Sequence, residues 1–247
     1  MKDYKHLAQT IFKRKSVRVY SQASAEILEK NDIIQTLGIQ PLIDNIKVDV
    51  KALGKGEVKN ERSKYCIAFY SEEKPFYREN IGFIGQQIDL ELQAMGLGTC
   101  WWGMKKPKRG HRKTDGLDCL ITMTAGYPLK EETRIYPDGF VRKAVKDIVT
   151  GNIAELSSDR LIEAVRVAPS AVNLQPWLVE KTGNKYNFYL RSPKGIIERM
   201  ISDIRHVDMG IALAHLFIQA KADGKDVSFS FEGKNIKQGK YIASIIT

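Results

Sequence analysis

Leu7, Ala8, Ile11 and Phe12 recur at three- and four-residue spacing, which predicts an amphipathic helix over residues 4–13. A second helix is expected to be capped by Ser24, to carry Ile27, Leu28, Ile34 and Leu37, and to stop at Gly38 with Pro41 beyond. Short apolar runs at residues 46–50 and 65–70 read as strands. A long helix is predicted from about residue 80 to residue 95, with its exit at Gly96 and Gly98. Residues 117–125 read as a buried strand closed by Gly126 and Pro128. A helix over residues 159–167 precedes two more strands, at 177–180 and 186–190. The stretch 206–222 is apolar nearly all round, the pattern of a helix that lies inside a protein. Strands at 227–231 and 241–246 complete the pattern. Helices and strands interleave without the regular alternation of a parallel sheet, so the expected class is α+β.

The pattern repeats. A shift of 128 positions brings Pro41 onto Pro169, Asn45 onto Asn173, Ile34 onto Ile162, Gly82 onto Gly210, Ala94 onto Ala222 and Gly96 onto Gly224. The strand pair 65–69 and 186–190 needs a shift of 121, so insertions or deletions intervene. Each half then reads as a helix, a Pro-x-x-x-Asn segment, short strands, a long buried helix ending at Gly, and a strand. The expectation is one compact unit built from two related halves, residues 1–150 and residues 151–247.

Composition adds less. With 247 residues, 43% of them hydrophobic, the chain can bury a sizeable core. Its longest apolar run, residues 209–220, includes His215 and Gln219 and falls short of a membrane span. The first residues are charged rather than apolar, unlike a secretory signal. Cys66, Cys100 and Cys119 are too widely spaced for a metal knuckle, and their odd number argues against a disulfide framework. Reduced thiols in a cytoplasmic protein are therefore expected. The net charge of +10 favours anionic ligands, a cofactor phosphate or nucleic acid among them. The densest basic run, residues 105–113, reads first as a solvated loop, then as the rim of a phosphate-accepting pocket, then as a nucleic-acid contact.

Three segments have the composition of a binding site. Residues 14–18, Arg-Lys-Ser-Val-Arg, put Arg14, Ser16 and Arg18 on one side of an extended chain, and arginine suits bidentate contact with phosphate. Taken alone, they read first as a solvated basic stretch. Residues 96–103, Gly-Leu-Gly-Thr-Cys-Trp-Trp-Gly, let the backbone approach a flat ring closely, but Trp101 and Trp102, taken alone, read first as core filling. Cys100 has no His near it in sequence and is not read as a nucleophile. Residues 168–177, Ala-Pro-Ser-Ala-Val-Asn-Leu-Gln-Pro-Trp, form a polar turn after a helix, and Ser170, Asn173 and Gln175 offer small donors and acceptors in an apolar setting.

Together these segments resemble the nitroreductase family of FMN enzymes, and in particular its single-chain, pseudo-dimeric subgroup. The family opens with Arg-x-Ser-x-Arg, carries Pro-Ser-x-x-Asn-x-Gln-Pro-Trp and a Gly-Leu-Gly-Thr-Cys-Trp-like strand, and closes its flavin site with a basic pair, which Arg142 and Lys143 match here. The resemblance implies a nitroreductase-like α+β fold of two pseudo-repeated halves, each a small, mostly antiparallel sheet with flanking helices around long central helices. It implies that Arg14, Lys15, Ser16, Arg18, Arg142 and Lys143 hold the FMN phosphate and ribityl chain. It implies that Pro169, Ser170, Ala171, Asn173 and Gln175 meet the ribityl and the ring edge. Thr99, Cys100, Trp101, Trp102, Gly103 and Met104 would lie along the ring, with a backbone N–H of Gly103 or Met104 facing N5. No side chain is expected to act as a catalytic acid or base.

The order of motifs departs from the family. In typical members the Asn-x-Gln-Pro-Trp segment comes before the long helix, whereas here it follows both that helix and the Gly-Leu-Gly-Thr strand. At the equivalent place in the first half stands residues 40–47, which keep Pro41 and Asn45 but lack Gln-Pro-Trp. Each half lacks what the other supplies, which suggests a fused pseudo-dimer with one complete and one degenerate FMN site, able to stand as a monomer. The expected activity is NAD(P)H-dependent reduction of nitro compounds, quinones or similar small-molecule acceptors by a ping-pong flavin mechanism. Neither a nucleic-acid nor a membrane partner is expected. The alternatives are another FMN reaction on the same fold, such as reductive dehalogenation or dehydrogenation, a flavin-binding protein without turnover, and a basic nucleic-acid-binding protein.

Overall fold

In a computed structural model of the chain, all residues are described except 1, 31, 59–62, 104–105 and 131–132. The elements in chain order begin with α1 (Tyr4–Ile11), α2 (Ile33–Thr36), β1 (Val48–Leu53), β2 (Tyr65–Ser71), α3 (Tyr77–Ala94) and β3 (Gly98–Trp102). Next come β4 (Lys113–Thr114), β5 (Leu117–Gly126), α4 (Val145–Ile148), β6 (Val149–Thr150), α5 (Ile153–Ser157) and α6 (Arg160–Arg166). The remainder is β7 (Trp177–Thr182), β8 (Lys185–Arg191), α7 (Ile196–Met200), α8 (Ser202–Ala222), β9 (Ser228–Ser230) and β10 (Gly239–Ile246). Among the described residues no helix is long and apolar enough to cross a membrane, and no group of His, Cys, Asp or Glu is arranged to hold a metal ion.

The chain divides into two compact units, residues 13–134 and residues 1–12 with 135–247. This division falls sixteen residues before the boundary suggested by the sequence pattern and assigns the N-terminal helix to the second unit. The packing explains it. Helix α1 lies on α8, where Tyr4 meets Phe217 edge to face at 5.7 Å, and Phe12 meets Tyr136 at 5.0 Å. An aromatic pair in edge-to-face contact contributes beyond the area it buries.

In the unit of residues 13–134, the sheet runs β1-β2-β5-β3 with β4 beside β5, and every pairing is antiparallel. All seven residues of β2 are buried, as a central strand requires. Helix α3 is buried along Ile81–Leu90 and makes its packing contacts with β2 and β3. In the other unit the sheet runs β6-β7-β8-β10-β9, antiparallel except for the short parallel pair β6·β7. Helix α8 is buried from Val207 through Ala220, as its all-round apolar pattern predicts.

The two units share one topology. Taken in chain order, β1, β2, α3, β3 and β5 occupy the places that β7, β8, α8, β9 and β10 occupy in the other unit. The ends of the long helices match at the shift of 128. Leu97 N–H donates to Leu92 O at 2.9 Å across left-handed Gly96, and Lys225 N–H donates to Ala220 O at 3.0 Å across left-handed Gly224. Both are the closing bond of a helix terminated by glycine, whose missing Cβ permits the left-handed turn.

The helix expected from Ser24 to Leu37 is instead a 3-10 turn, Glu26–Glu29, followed by α2. Lys30 is extended between them and Asp32 caps α2 by accepting Gln35 N–H at 2.8 Å, while Ser24 caps nothing; its hydroxyl meets the Lys64 ammonium. The competing cap at Asp32 restarts the helix there.

Candidate functional site

In the unit of residues 13–134, helix α3 is buried yet carries Gln86, Asp89 and Gln93 on one face. These three side chains bind both motif segments of that unit. Asp89 pairs with the Arg14 guanidinium at 3.0 Å, with both side chains almost fully buried. It also accepts from Gln86 Nε2 at 2.8 Å, from Gln93 Nε2 at 2.7 Å, and from the Thr99 hydroxyl. Gln93 Oε1 accepts Lys15 N–H at 3.1 Å, and Val17 N–H donates to Thr99 O at 2.9 Å. Residues 14–17 thereby run beside β3, with Ser16 and Thr99 in a parallel bridge. Gly98 makes this approach possible, since a Cβ there would stand 2.6 Å from the Val17 side chain.

Arg14 is therefore committed inside the unit: it pairs with Asp89, and its second nitrogen donates to the Ser16 hydroxyl at 3.2 Å. Arg18 is exposed, and its guanidinium donates to Ser16 O at 3.4 Å. Partial burial and then the charges of Arg14 and Arg18 hold Arg134 below the usual arginine range. Arg134 N–H donates to Lys13 O at 2.9 Å, which sets Arg134 beside this segment. Arg18 and Arg134, with the charge of the committed Arg14, make the segment suited to an oxyanion such as phosphate.

Trp101 fills space between α3 and the sheet. Its ring stacks on Phe69 at 5.4 Å, its indole N–H donates to Gln86 at 3.2 Å, and a Cβ added at Gly85 would run into it. The core-filling role that its sequence context allowed is thus the one this packing favours. Burial raises the pKa of the Cys100 thiol, which keeps it protonated at neutral pH. Trp102 is half-buried, with its carbonyl accepting from the Thr122 hydroxyl at 3.1 Å, and Gly103 lies in the turn beyond β3. Met104, expected beside the flavin ring, lies outside the described residues, as does Lys105 of the basic run. In that run Lys108, Arg109, Arg112 and Lys113 are exposed, consistent with a solvated loop.

In the other unit, residues 141–143 and 168–175 are tied into one network. Arg142 donates to Asn173 Oδ1 at 3.0 Å and to the carbonyls of Val167 and Ala168 at 3.3 and 3.1 Å. Asn173 returns a bond from Nδ2 to Val141 O at 3.0 Å. Lys143 N–H donates to Gln175 Oε1 at 2.7 Å, and its ammonium donates to the carbonyls of Leu174 and Gln175 at 2.6 and 3.1 Å. Ser170 accepts Gln175 N–H at 2.8 Å, and Ala171 N–H reaches Asp208 near the start of α8 at 3.0 Å. Pro169 and Gln175 are buried, whereas Val172 and Asn173 are exposed. Val172, Asn173 and Gln175 all have positive φ, at 43°, 59° and 48°. Three non-glycine residues in the left-handed region within four positions are costly, and such strain concentrates at binding sites.

Several of these residues escape a reading based on motifs alone. Asp89, Gln86 and Gln93 show themselves in the sequence only as polar residues at i, i+3 and i+7 of an otherwise apolar helix. Asp208 is equivalent to Asn80 at the shift of 128, and the two do the same job. Ile43 N–H donates to Asn80 Oδ1 at 3.1 Å just as Ala171 N–H donates to Asp208. The same shift places residues 142–146, Arg-Lys-Ala-Val-Lys, on residues 14–18, Arg-Lys-Ser-Val-Arg. Arg142 and Lys143 thus stand as a copy of the N-terminal basic segment. Phe217 replaces Asp89 in that copy, so Arg142 turns to carbonyls and Asn173 for its partners.

A putative nitroreductase from Thermotoga maritima is similar in structure at a TM-score of 0.68, with 23% identity, covering 97% of this chain and 93% of that one. A putative NADH dehydrogenase/NAD(P)H nitroreductase from Parabacteroides distasonis gives a TM-score of 0.44 at 18% identity, over 59% of this chain and 97% of its own. An FMN-dependent nitroreductase from Clostridium difficile gives 0.39 at 14% identity, over 53% of this chain and 92% of its own. No match is found among curated proteins. The family model described as "Putative TM nitroreductase" matches residues 6–220, and the chain belongs to that nitroreductase family.

Proposed function

We propose that the chain is an FMN-dependent oxidoreductase that takes reducing equivalents from NAD(P)H and delivers them to nitro compounds, quinones or similar small molecules. Membership of the nitroreductase family supports the general oxidoreductase role. The observation that carries the cofactor assignment is the basic segment of residues 14–18, held beside Thr99 and joined by Arg134, whose N–H donates to Lys13 O at 2.9 Å. The donor set fits the phosphate of FMN: Arg18 and Arg134 would hold it, and Arg14, anchored by Asp89, would fix the segment and add its charge.

Residues 169–175 suit a ribityl chain or ring edge in kind. The strained turn exposes Asn173 and Val172 while Ser170, Gln175, Arg142 and Lys143 lock its backbone. A turn held in this way offers main-chain and amide groups to a ribityl chain or ring edge without rearranging. When bound, FMN would supply the two-electron chemistry, accepting hydride and passing electrons to the acceptor. The chain's own part is to bind, to orient and to leave one ring face accessible, and no side chain is assigned as acid or base.

The shared topology, the paired helix caps, the Asn80–Asp208 equivalence and the repeated basic segment support an internal duplication. We propose one flavin site per chain and a chain that functions as a monomer. Flavin titration tests this reading. One FMN per chain is expected, with affinity reduced by Arg18→Ala and by Arg134→Ala. Two FMN per chain would rule out the single-site reading, and no uptake would rule out the cofactor.

A further inference from the structure

The unit that includes residues 135–247 contains a cleft of about 470 Å³, and Lys143 is its one lining residue that the flavin assignment uses. Lys143, Lys146, Arg191 and Lys194 line it, and Asp147 is the acid among its lining residues. Lys146 and Lys194 are exposed at its mouth, while Lys143 and Arg191 are half-buried deeper in. The Lys143 ammonium rests on the carbonyls of Leu174 and Gln175. Arg191 donates to Trp177 O at 3.4 Å. Glu198, outside the lining, pairs with Arg205 at 3.6 Å and accepts Lys194 N–H at 3.2 Å. Thr150 and Gln238 add neutral polar groups to the lining.

Four cations line the concave surface against Asp147, with Glu198 acting on Lys143 and Arg191 from outside the lining; the surplus positive charge favours a compact anion of multiple charge. Burial first, then the charge of Arg191, holds Lys143 below the usual lysine range, in keeping with that crowding. A second observation identifies the chemistry independently. Lys143 and Lys146 belong to residues 142–146, the copy of residues 14–18, and Lys146 stands where Arg18 stands in the first copy. In the first copy the basic residues converge with Arg134. In the second they converge with Arg191 and Lys194.

We propose that this cleft is a second anion site, which takes the phosphate or diphosphate group of a small molecule. The argument from the repeated segment rests on reading residues 14–18 as a phosphate-holding segment; the charge of the cleft does not. Loss of flavin-site elements from that half would then have left the basic residues of the copied segment open to a different phosphate-bearing ligand.

Calorimetric titration of the whole chain with inorganic pyrophosphate at fixed ionic strength, with and without flavin, provides the test. The expected result is saturable binding at one site per chain. Lys146→Glu/Lys194→Glu should weaken it by about tenfold or more, as removing two charge-assisted contacts would. The charge-matched control Lys5→Glu/Lys225→Glu, on exposed residues outside the cleft, should leave it unchanged. Flavin bound per chain should be the same in all three proteins. Displacement of pyrophosphate by NADPH would support the cleft with a dinucleotide as the source of the phosphate. Displacement by inorganic phosphate alone would support it with a free phosphate or a small phosphomonoester as the source. Absence of binding, or equal weakening in the control, would overturn the proposal. A colourless chain that still binds pyrophosphate would count against the flavin reading only, and a flavin-loaded chain that does not would count against the cleft only.

Discussion

Replacing Asp208 by Asn should make the protein more stable at alkaline pH, an unusual outcome for a change at a fully buried hydrogen-bonding residue. Asp208 sits in the buried first turns of α8 with one oxygen accepting Ala171 N–H at 3.0 Å and the other, Oδ2, without a hydrogen-bond partner among the described residues. Burial pushes its carboxyl up to about 7, against the smaller opposing effects of the Ala171 N–H and the Arg205 guanidinium. A carboxyl raised in the folded state binds its proton more tightly there than in the unfolded chain. Its favourable contribution is therefore complete below about pH 4, declines as pH rises, and is gone above about pH 7. At full linkage the difference amounts to about 4 kcal/mol, and relaxation of the surroundings should leave about 2 kcal/mol or more. Asn keeps the acceptor that Ala171 needs, as Asn80 does for Ile43 in the other unit, and removes the charge. Urea unfolding of both proteins at intervals from pH 4 to pH 8 gives the difference curve. Asp208→Asn should gain on the parent steadily across that range and exceed it at the top. Parallel curves, or a variant that loses stability at pH 8, would refute the reasoning.

Further outcomes follow from the same packing. Arg14→Ala leaves Asp89 buried without its cation and should cost about 3 kcal/mol by chemical denaturation, with much of that recovered when Asp89→Asn is added. Gly98→Ala forces its Cβ against Val17, so it should lower Tm and weaken FMN binding together by displacing residues 14–17 from β3. Val172→Gly relieves a β-branched residue at φ 43° whose side chain is 75% exposed, and should raise unfolding free energy by about 1 kcal/mol in the flavin-free protein.

Much of the fold could be read from periodicity because its elements are strongly patterned. The buried helices α3 and α8 are long, their glycine exits are local chemistry, and β5, β7 and β8 are apolar runs closed by turns. The region of residues 24–37 resisted because the apolar spacing runs through it while Asp32 supplies a stronger local cap. β6, two residues long and paired in parallel with β7, carries no local signal at all. The motif segments could be recognised by type, but their supports could not. Nothing in the spacing of Asp89 and Arg14, 75 positions apart, says that the arginine would be spent on an internal ion pair. Arg134 likewise stands alone in sequence and acquires meaning only beside Arg14 and Arg18. Residues 142–146 were legible as a copy of 14–18 at the shift already implied by the helices, but a match to a shorter basic pair obscured it.

The flavin assignment underlies the functional account, and a visible spectrum of the purified chain tests it most directly. On addition of FMN the protein should retain one equivalent through desalting, with the absorption envelope of bound rather than free flavin. Anaerobic NAD(P)H should then bleach the band, and a quinone or nitro compound should restore it. A chain that retains no flavin would contradict the central claim, and one that retains flavin which NAD(P)H never bleaches would contradict the proposed reductant.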